Sequence, residues 1–591
     1  MTATVLGVDR SVTNRRWVRR NGGTPEVDRL GLAIAQRFGV PEIVGRLVAD
    51  RGVELDGVER FLEPTLKAEL PDPSILKDMD TAASRLADAV QRGEAVGLFA
   101  DYDVDGATSA AAVIRYLRAV GARAALHVPD RIDEGYGPNL PALQGLVAQG
   151  AGPVVCLDCG ILALDTLAAA REAGIDVLVV DHHMAEPVLP AAVAVVNPNR
   201  LDQAPGLGHL AACGVTFLVL VALNRELRRR GWFADRTEPD LRSILDLIAL
   251  GTVCDVVPLK GLNRAFVAQG LKIMAGRANI GLAALGDVAG LDRRPDPYHL
   301  GFVLGPRINA GGRVGRADLG ARLLATEDTG DARAIASELD RHNDERRRIE
   351  AEVLDAAIAQ AEGMDGDPPV LVVSGEGWHP GVVGIVASRL KDRFGRPACV
   401  IGVEDGIGKG SGRSVSGVDL GGAVIAAHQA CILEKGGGHA MAAGFTVAAG
   451  RIEAFRAFLA ERVRAALTDG PLVPTLSVDS TVAPRGANAE LVRTIDRIGP
   501  FGTGNSEPRF ALADVRVAGV AVVGENHVRC TLTGADSGRL KGIAFRAMES
   551  DLGPALLKAG SVPMHVAGHL RADHFRGGDA VQLVIDDAAE S

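Results

Sequence analysis

The sequence of 591 residues has few aromatic residues, few cysteines and no excess of positive charge. Its 64 Lys and Arg are outnumbered by 74 Asp and Glu, and the net charge of −10 excludes a protein that binds nucleic acid over its whole surface. A basic cleft within an acidic protein stays compatible with this charge. Aromatic residues make up 4% of the chain, so few side chains are available for stacking on bases. With 47% hydrophobic and 23% charged residues, the composition excludes global disorder.

Long apolar runs are also lacking. The longest uncharged apolar run, 210–223, is shorter than the roughly 20 residues of a membrane span and is more typical of a buried helix. The N-terminal apolar stretch ends at Asp9, which is too short for a signal peptide. Seven cysteines without framework spacing indicate a reducing compartment, and we expect a soluble cytoplasmic protein with no membrane contact. Cys156 and Cys159 form a CxxC, which we interpret as two incidental small residues rather than a redox or zinc site.

The pattern of apolar residues predicts an α/β fold. Between residues 80 and 260, short β-rich runs alternate with helical periodicity, which is typical of a parallel sheet. A narrow apolar stripe over 331–362 predicts one long helix, and a second α/β block begins at 368–374. Short β runs separated by Gly, Asn and Asp over 475–591 predict a small β barrel. We therefore divide the chain into 1–75, 76–330, 331–365, 366–468 and 469–591.

The strongest chemical signal is a cluster of carboxylates directly after the predicted strand 95–100. Asp101, Asp103 and Asp105 alternate along the chain, which in extended backbone places all three on one side. Such a cluster repels itself unless a cation neutralises it. An EF-hand calcium loop is the alternative, but that loop needs a Glu at position 112, where the chain has Ala, and a preceding helix rather than a strand.

Three more acidic residues follow apolar runs. Asp158 follows 153–157, Asp181 follows 176–180 and precedes His182 and His183, and Asp255 follows 247–254. We interpret these runs as strands, whose carboxyl ends meet at one edge of a parallel sheet. A single Asp after a strand is usually a helix cap, but four such sites with paired histidines are not explained by capping. Mixed Asp and His ligation suits Mn²⁺ and, less well, Mg²⁺, while the lack of Cys ligands disfavours structural zinc.

The number of candidate ligands favours two ions. Five or six ligands are too many for one ion with open positions, whereas two ions about 3.5–4 Å apart use them all. Such a pair activates water for phosphoester hydrolysis.

Distinctive motifs are spread over the chain from about residue 30 to its end. They include ADYDVDGATSA, VVCLDCGI, VVDHH, LIALGTVCDVVPL, PDRIDEGYG, GPRINAGGRVG, GKGSGRS, GGGHAMAAGF and IGPFGTGNSEPRF. Together these motifs resemble those of the RecJ family of bacterial exonucleases, within the DHH phosphoesterase superfamily. The resemblance implies a DHH domain and a DHHA1 domain joined by the long helix, followed by an OB fold. It also implies a 5′→3′ exonuclease that hydrolyses single-stranded DNA to 5′-mononucleotides in recombination and repair.

The resemblance also assigns candidate roles in the active site. His183 matches a histidine that contacts the scissile phosphate, and we expect Asp158 to bridge the two ions. We assign Asp181 the task of orienting an imidazole rather than binding metal. The residues carried over as ligands of two Mn²⁺ or Mg²⁺ ions are Asp101, Asp103, Asp105, Asp158, His182 and Asp255.

Other candidate residues lie in glycine-rich segments that we expect to be loops near phosphates. Glycine lets the backbone approach phosphate and Arg binds it through two donors, although solvated surface turns are the alternative. We place Arg307 and Asn309 in the catalytic site, and Arg313, Gly438 and His439 against the substrate. The resemblance places Arg131, Ser411 and Arg413 around the 5′-terminal phosphate of the DNA. The alternative is that these three residues only contact the phosphate backbone further along the bound DNA strand.

Three functions remain open at this point. Besides the exonuclease, the chain has the motifs of shorter DHH hydrolases that act on nanoRNA, cyclic dinucleotides or pyrophosphate, and some relatives are inactive DNA-binding scaffolds. The barrel argues against the short hydrolases, and the complete set of carboxylates and histidines argues against a scaffold.

The expected partners are single-stranded DNA, single-strand-binding protein and a RecQ-type helicase, with the enzyme a monomer. In the barrel, the aromatic candidates for base stacking are Phe501, Phe510, Phe545 and Phe575, of which we expect at least two in the core.

Overall fold

The computed structural model describes residues 4–131, 133–364, 366–467, 474–560, 562–573 and 580–591. Within these ranges, no helix is both long and apolar enough to cross a membrane. The chain begins with a short strand and four helices, of which α1 starts at an N-cap Thr24 and ends at Gly39 in the left-handed conformation. These elements are β1 (Arg16–Arg19), α1 (Pro25–Phe38), α2 (Glu42–Ala49), α3 (Val58–Leu62) and α4 (Leu66–Glu69).

The first sheet has five parallel strands in the order β3-β2-β4-β5-β6. Four of the strands were predicted from the sequence, at 95–100, 122–128, 153–158 and 176–181, whereas β6 was not expected. The chain passes from β2 outward to β3 and then returns to the other side of β2, so the strand order reverses between β2 and β4. Ligands bind at such a reversal in open α/β sheets. The elements are α5 (Met79–Arg92), β2 (Ala95–Ala100), α6 (Val104–Ala119), β3 (Ala124–His127), α7 (Leu140–Ala148), β4 (Ala151–Leu157), α8 (Leu164–Glu172), β5 (Asp176–Val180) and β6 (Ala194–Val196).

Helices surround this sheet and extend away from it. The run 210–223 lies in a buried helix, as predicted. The run 247–254 is also a helix, so the prediction that Asp255 follows a strand is wrong. This helix is buried along almost its whole length and therefore has no amphipathic periodicity to separate it from a buried strand. These helices are α9 (Ala212–Arg229), α10 (Leu245–Cys254), α11 (Gly261–Ala275), α12 (Ile280–Val288), α13 (Gly305–Val314) and α14 (Leu319–Ala325), with a π-helical turn at His299–Leu304 before α13.

The glycine-rich segment that holds Arg307, Asn309 and Arg313 is helix α13, so the prediction of a loop there is wrong. Pro at the start of α13 suits a first helical turn, and Gly311 lies where a Cβ would be 2.9 Å from the carbonyl oxygen of Arg316. The glycines of this segment thus permit close packing. The long helix α15 (Thr329–Glu362) confirms the helix predicted from the stripe over 331–362.

The second sheet has the order β10-β11-β9-β8-β7, with only β7 and β8 parallel. Ser411 and Arg413 lie on strand β9 and His439 ends the edge strand β10, so these segments are strands and not the predicted loops. Gly438 has φ +152°, and a Cβ there would lie 2.4 Å from the carbonyl oxygen of Ala442. The elements are β7 (Leu371–Glu376), α16 (Pro380–Phe394), β8 (Ala398–Glu404), β9 (Ile407–Arg413), α17 (Leu420–Gln429), β10 (Lys435–His439), β11 (Ala442–Ala448) and α18 (Ile452–Ala466).

The last unit is a closed barrel, as predicted. Five strands close in the order β14-β15-β16-β18-β17 and back to β14. Phe510 is in its core and Phe501 packs against that core, whereas Phe545 is exposed. Phe575 lies outside the described residues. The elements are β12 (Thr475–Val478), β13 (Ser480–Thr481), α19 (Ala489–Asp496), β14 (Phe510–Val523), β15 (His527–Thr533), β16 (Arg539–Ala544), α20 (Leu552–Lys558), β17 (Met564–Ala572) and β18 (Val581–Glu590).

The N-terminal elements pack on this barrel. Strand β1 pairs in parallel with β12, and apolar residues of α1 and α2 share one core with the barrel strands. Trp17 is fully buried, and its Nε1 donates to Oδ2 of Asp587 at 2.9 Å. The two ends of the chain therefore form one packed unit.

Candidate active site

The first carboxylate cluster lies where β2 meets α6. Asp101 follows the last residue of β2, and Asp103 is the N-cap of α6, where its Oδ1 accepts from the backbone N–H of Asp105 at 2.8 Å and of Gly106 at 3.1 Å. The motif is thus a strand followed by a capped helix rather than the extended segment we predicted. A Cβ at Gly106 would lie 2.3 Å from the carbonyl oxygen of Asp101, so glycine is required for this tight turn.

Asp105 faces the start of α9. Its two carboxylate oxygens accept from the backbone N–H groups of Ala212 at 2.6 Å and Cys213 at 2.9 Å. This anchors the carboxylate at the positive end of a helix.

Asp158 lies at the centre of the site. It follows β4, is 2% exposed and has φ +61°, a left-handed conformation that Asn and Asp tolerate better than other non-glycine residues. Its Oδ1 is 3.4 Å from Nε2 of His182 and 3.9 Å from Nδ1 of His183. Burial, and then the neighbouring carboxylates with Asp105 first, raise the pKa of Asp158 well above its usual value.

The two histidines are oriented by different groups. Nδ1 of His182 lies 3.0 Å from the carbonyl oxygen of Leu210, which can only accept, so Nδ1 carries the proton and Nε2 faces Asp158 and Asp255. Nδ1 of His183 lies 2.7 Å from Oδ1 of Asp181. His182 therefore presents a free lone pair to the carboxylates, as a metal-binding histidine does.

Asp181 is fully buried and its oxygens are occupied. Besides His183 Nδ1, it accepts from the backbone N–H groups of His182 at 2.7 Å, His183 at 3.1 Å and Ile161 at 3.1 Å. Burial opposes its charge, but the His183 side chain and these backbone donors lower its pKa overall. This environment suits a carboxylate that orients an imidazole.

These residues form three overlapping groups that can hold cations. In each group the candidate ligand atoms lie within 4.8 Å of one another. Burial and Asp103 raise the pKa of Asp101 to about 8, and burial, Asp105 and Asp103 raise that of Asp255 to about 9. The groups are Asp158 with His182 and His183, Asp105 with His182 and Asp255, and Asp101 with Asp103 and Asp158.

Three carboxylate oxygens in these groups fit divalent cations especially well. Asp101 Oδ1, Asp158 Oδ1 and Asp255 Oδ2 are buried and accept no hydrogen bond from the described residues. An unpaired buried carboxylate oxygen costs free energy unless something neutralises it. The mixture of oxygen and imidazole donors matches the preference of Mn²⁺ and tolerates Mg²⁺.

A second cluster is made of arginines above the carboxylates. Burial, followed by Arg131, Arg346 and Arg413, lowers the pKa of Arg313 to about 10, so these like charges lie close to one another. Arg413 Nη1 donates to Ser411 Oγ at 3.0 Å. The guanidinium of Arg131 lies 4.9 Å from the ring centre of Tyr102. Grouped guanidiniums beside a metal-binding cluster are suited to bind phosphate.

Arg307, Asn309 and His439 are placed differently. Arg307 Nε donates to Asp340 of α15 at 2.8 Å and its Nη1 to the carbonyl oxygen of Val303 at 2.7 Å. Within the described ranges, no hydrogen bond or ion pair joins Asn309 or His439 to the carboxylates. Their roles stay predictions.

Tyr136 is a site residue that sequence reasoning missed. Its hydroxyl donates to the carbonyl oxygen of Asp158 at 3.2 Å and lies 3.4 Å from Nδ1 of His183. The signal in the sequence is the flanking pair Gly135 and Gly137. Both have positive φ in the structure, where the Tyr136 ring makes an edge-to-face contact with His183.

Three family models match the chain. They are the DHH family N-terminal domain over residues 95–252, the DHHA1 domain over 367–465 and the RecJ OB domain over 478–587. The matched ranges correspond to the first sheet, the second sheet and the barrel.

Curated relatives and solved structures agree with these models. A single-stranded-DNA-specific exonuclease RecJ of Dickeya dadantii is 37% identical over 563 residues, which cover 93% of this chain and 96% of the relative. That of Bacillus subtilis is 33% identical over 575 residues, 96% of this chain and 70% of the relative. The crystal structure of RecJ in complex with Mn²⁺ from Thermus thermophilus superposes with a TM-score of 0.80 at 28% identity, over 99% of this chain and 80% of that one. The protein therefore belongs to the RecJ family.

Proposed function

We propose that the protein is a metal-dependent 5′→3′ exonuclease that hydrolyses single-stranded DNA to 5′-mononucleotides in recombination and repair. The relatives carry the name single-stranded-DNA-specific exonuclease, and solved RecJ structures hold Mn²⁺ or Mg²⁺. The observation that carries the proposal is the set of three buried carboxylate oxygens without hydrogen-bond donors at the strand reversal. A DNA-binding scaffold has no need to keep such oxygens unpaired.

The residues divide naturally between two cation positions. Asp101 and Asp103 face one position, and His182 with Asp105 and Asp255 faces the other. Asp158 lies next to Asp101 and Asp103 on one side and to His182 on the other, so it would be the shared ligand. When bound, two such ions lower the pKa of a coordinated water and neutralise charge on the phosphate. The chain supplies the rigid arrangement, because Asp103 and Asp105 are each fixed by two backbone N–H donors.

His183 has a separate task. Its Nδ1 is held by Asp181, which leaves Nε2 directed away from that carboxylate. Its side chain is 40% exposed, whereas that of His182 is 13% exposed, so His183 is the imidazole that can reach a phosphate in the cleft. Asp181 orients the ring and stabilises its charged form.

The 5′→3′ direction of digestion is explained by the arginine cluster. Ser411 and Arg413 on β9 form one wall of a pocket for the 5′ phosphate, and Arg131 forms the opposite wall. Close approach of β9 to α16 supports this pocket, because a Cβ at Gly384 would lie 3.1 Å from both Ser411 Oγ and Arg413 Nη2. Arg313 joins the walls, since its Nη1 donates to the carbonyl oxygen of Gly381 at 2.7 Å.

The substrate is a single strand. The units built on the first sheet and on the second sheet are tethered by α15 and touch where α13 meets α16. We propose that the cleft between these units admits one strand and rejects two. We also propose that the enzyme acts as a monomer. Single-strand-binding protein and a RecQ-type helicase are the proposed partners, and the division at residues 75, 330, 365 and 468 is our proposed set of domain boundaries.

The proposed activity is tested by digesting a single strand labelled at its 5′ or its 3′ end, with Mn²⁺ or Mg²⁺ present. We expect early release of the 5′ label as a mononucleotide, no release after chelation, and little digestion of a blunt duplex. Shortening from the 3′ end, or equal rates on the duplex, would contradict the proposal.

The polarity pocket is tested with strands that carry a 5′ phosphate or a 5′ hydroxyl. Arg413→Ala should lose most of the preference for the phosphate, on the order of ten- to a hundredfold for one charge-assisted contact. Arg393→Ala is the matched control, because Arg393 is exposed on α16 and pairs with Glu362 of α15. If Arg413→Ala slows digestion equally on the 5′-phosphate and the 5′-hydroxyl strand, Arg413 only contacts the DNA phosphate backbone and does not recognise the 5′ end.

A further inference from the structure

Two exposed aromatic rings stack on each other outside the site described above. Tyr298 is 57% exposed and Phe302 is 72% exposed, and their ring centres are 5.2 Å apart with an angle of 25° between the planes. Among the described residues, only Tyr136 and Phe545 are comparably exposed aromatics. An exposed apolar surface of this kind usually marks a binding site. In the described part of the chain, no other two of these exposed aromatic rings stack on each other.

The turn that carries the stack packs against the helix that ends next to Asp255. Tyr298 precedes, and Phe302 belongs to, the π-helical turn His299–Leu304, a conformation common at functional sites. The turn packs on the end of α10, because Cys254 Sγ lies 3.4 Å from the carbonyl oxygen of Leu300. The residue after Cys254 is Asp255, one of the candidate metal ligands.

The stack lies at the opposite end of a helical run from the arginine cluster. The π-helical turn continues into α13, which carries Arg313 at its far end. Eleven residues separate Phe302 from Arg313, which is about 17 Å at 1.5 Å per residue. At a rise of 3.4 Å or more per nucleotide, this distance spans at most about five nucleotides.

Basic groups and the barrel lie next to the same turn. Arg293 and Arg294 are exposed and form no ion pair with a carboxylate within the described ranges. On the barrel side, Arg571 of β17 has its pKa raised by Glu507 and, more weakly, by the nearby Asp296. The turn thus lies between the metal cluster and the barrel. Arg293 and Arg294 offer donors for phosphates, although Asp292 and Asp296 flank them, and the two rings offer flat faces for bases.

We propose that Tyr298 and Phe302 form a stacking platform for a base about two to five nucleotides on the 3′ side of the scissile phosphate, as the strand leaves the cleft towards the barrel. The inference rests on the proposed exonuclease function and names where its substrate is held. Stacking tolerates any base, because every base has a flat face. The platform therefore adds affinity for single strands without adding sequence specificity.

The experiment compares two double variants on 5′-phosphorylated substrates. Tyr298→Leu with Phe302→Leu keeps apolar volume but removes the rings, whereas Tyr298→Phe with Phe302→Tyr keeps both rings. On a 12-nucleotide strand, the leucine variant should have a KM raised about five- to a hundredfold, and the ring-retaining variant should match wild type. On a dinucleotide, which is too short to reach the platform, all three enzymes should have the same kcat/KM.

A second measurement needs no variant. A single abasic nucleotide is moved through positions two to seven of the 12-nucleotide strand. In the wild type, the KM should rise at the position that contacts the platform, and the leucine variant should show no further rise there. An unchanged KM for the leucine variant, or an abasic effect that persists in it, would overturn the platform. A wild type that does not shorten the strand from its 5′ end would instead refute the proposed function.

Discussion

Replacing Asp158 by Asn should stabilise the protein when no metal is bound. Asp158 Oδ1 is buried and accepts no hydrogen bond from the described part of the chain, and the candidate ligand atoms of Asp158, Asp101 and Asp103 lie within 4.8 Å of one another. Each ionised pair at this separation repels by about 3.5 kcal/mol at an effective dielectric constant of 20. The raised pKa values show that ionisation is partial, so we expect a net gain of about 2–4 kcal/mol, which corresponds to a rise in Tm of several degrees.

With divalent cations bound, wild type should instead be more stable than the Asp158→Asn variant. A ligand at a hundred times its Kd stabilises the folded state by about 2.7 kcal/mol at each site. Wild type gains this at both positions, whereas the variant lacks the shared carboxylate. The assay is thermal unfolding of both proteins, first with a chelator and then with Mn²⁺. The variant should have a higher Tm than wild type in the chelator and a lower Tm than wild type with the metal.

The choice of Asn matters because Asp158 has φ +61°. Ala in this conformation would add a cost of about 1–2 kcal/mol that hides the effect of the charge, whereas Asn tolerates it. Asp181→Asn is the matched control, since Asp181 is equally buried but accepts from three backbone N–H groups and from His183. It should lower the Tm in the chelator. A lower Tm for Asp158→Asn in the chelator would refute the reasoning that these oxygens repel one another.

Three further predictions concern groups away from the metal ligands. Burial raises the pKa of Asp246 to about 6, so stability is full below about pH 4 and falls by about 3 kcal/mol as the pH rises through 6. Asp246→Asn should recover this stability at pH 8 and leave the free energy of unfolding unchanged at pH 4. Denaturant titrations that show the same difference between variant and wild type at both pH values would contradict the prediction. Trp17→Ala should cost about 3–5 kcal/mol in urea unfolding, with Trp17→Phe recovering part, whereas no change would mean that β1 does not stabilise the barrel. If Arg307 acts only through Asp340, then Arg307→Ala, Asp340→Ala and the double variant should lower kcat/KM by the same factor, and additive losses would indicate contact with DNA.

The edge of the first sheet could be predicted from the sequence because parallel strands have a clear local signal. Runs of apolar residues are buried on both faces, and the charged residue that follows marks the end of each strand. Strands β2, β4 and β5 indeed end immediately before Asp101, Asp158 and Asp181. The chemistry of the site follows from that edge.

Asp255 and α13 show where local patterns fail. The run before Asp255 is apolar on all sides, so neither the periodicity of a helix nor that of a strand is visible in it. Its length fits either element. In α13 the glycines indicate a loop, yet tertiary packing makes it a helix, because small residues are needed where it meets α15 and Tyr102. In both segments the deciding contacts come from distant parts of the chain.

The joining of the two chain ends has a consequence for synthesis on the ribosome. Trp17 and its partner Asp587 are separated by 570 residues. At roughly 5–20 residues per second, the segment that holds Asp587 is made about half a minute to two minutes after Trp17. During that interval the apolar faces of α1 and α2 have no barrel to cover them, so we expect the nascent N-terminus to need protection by a chaperone.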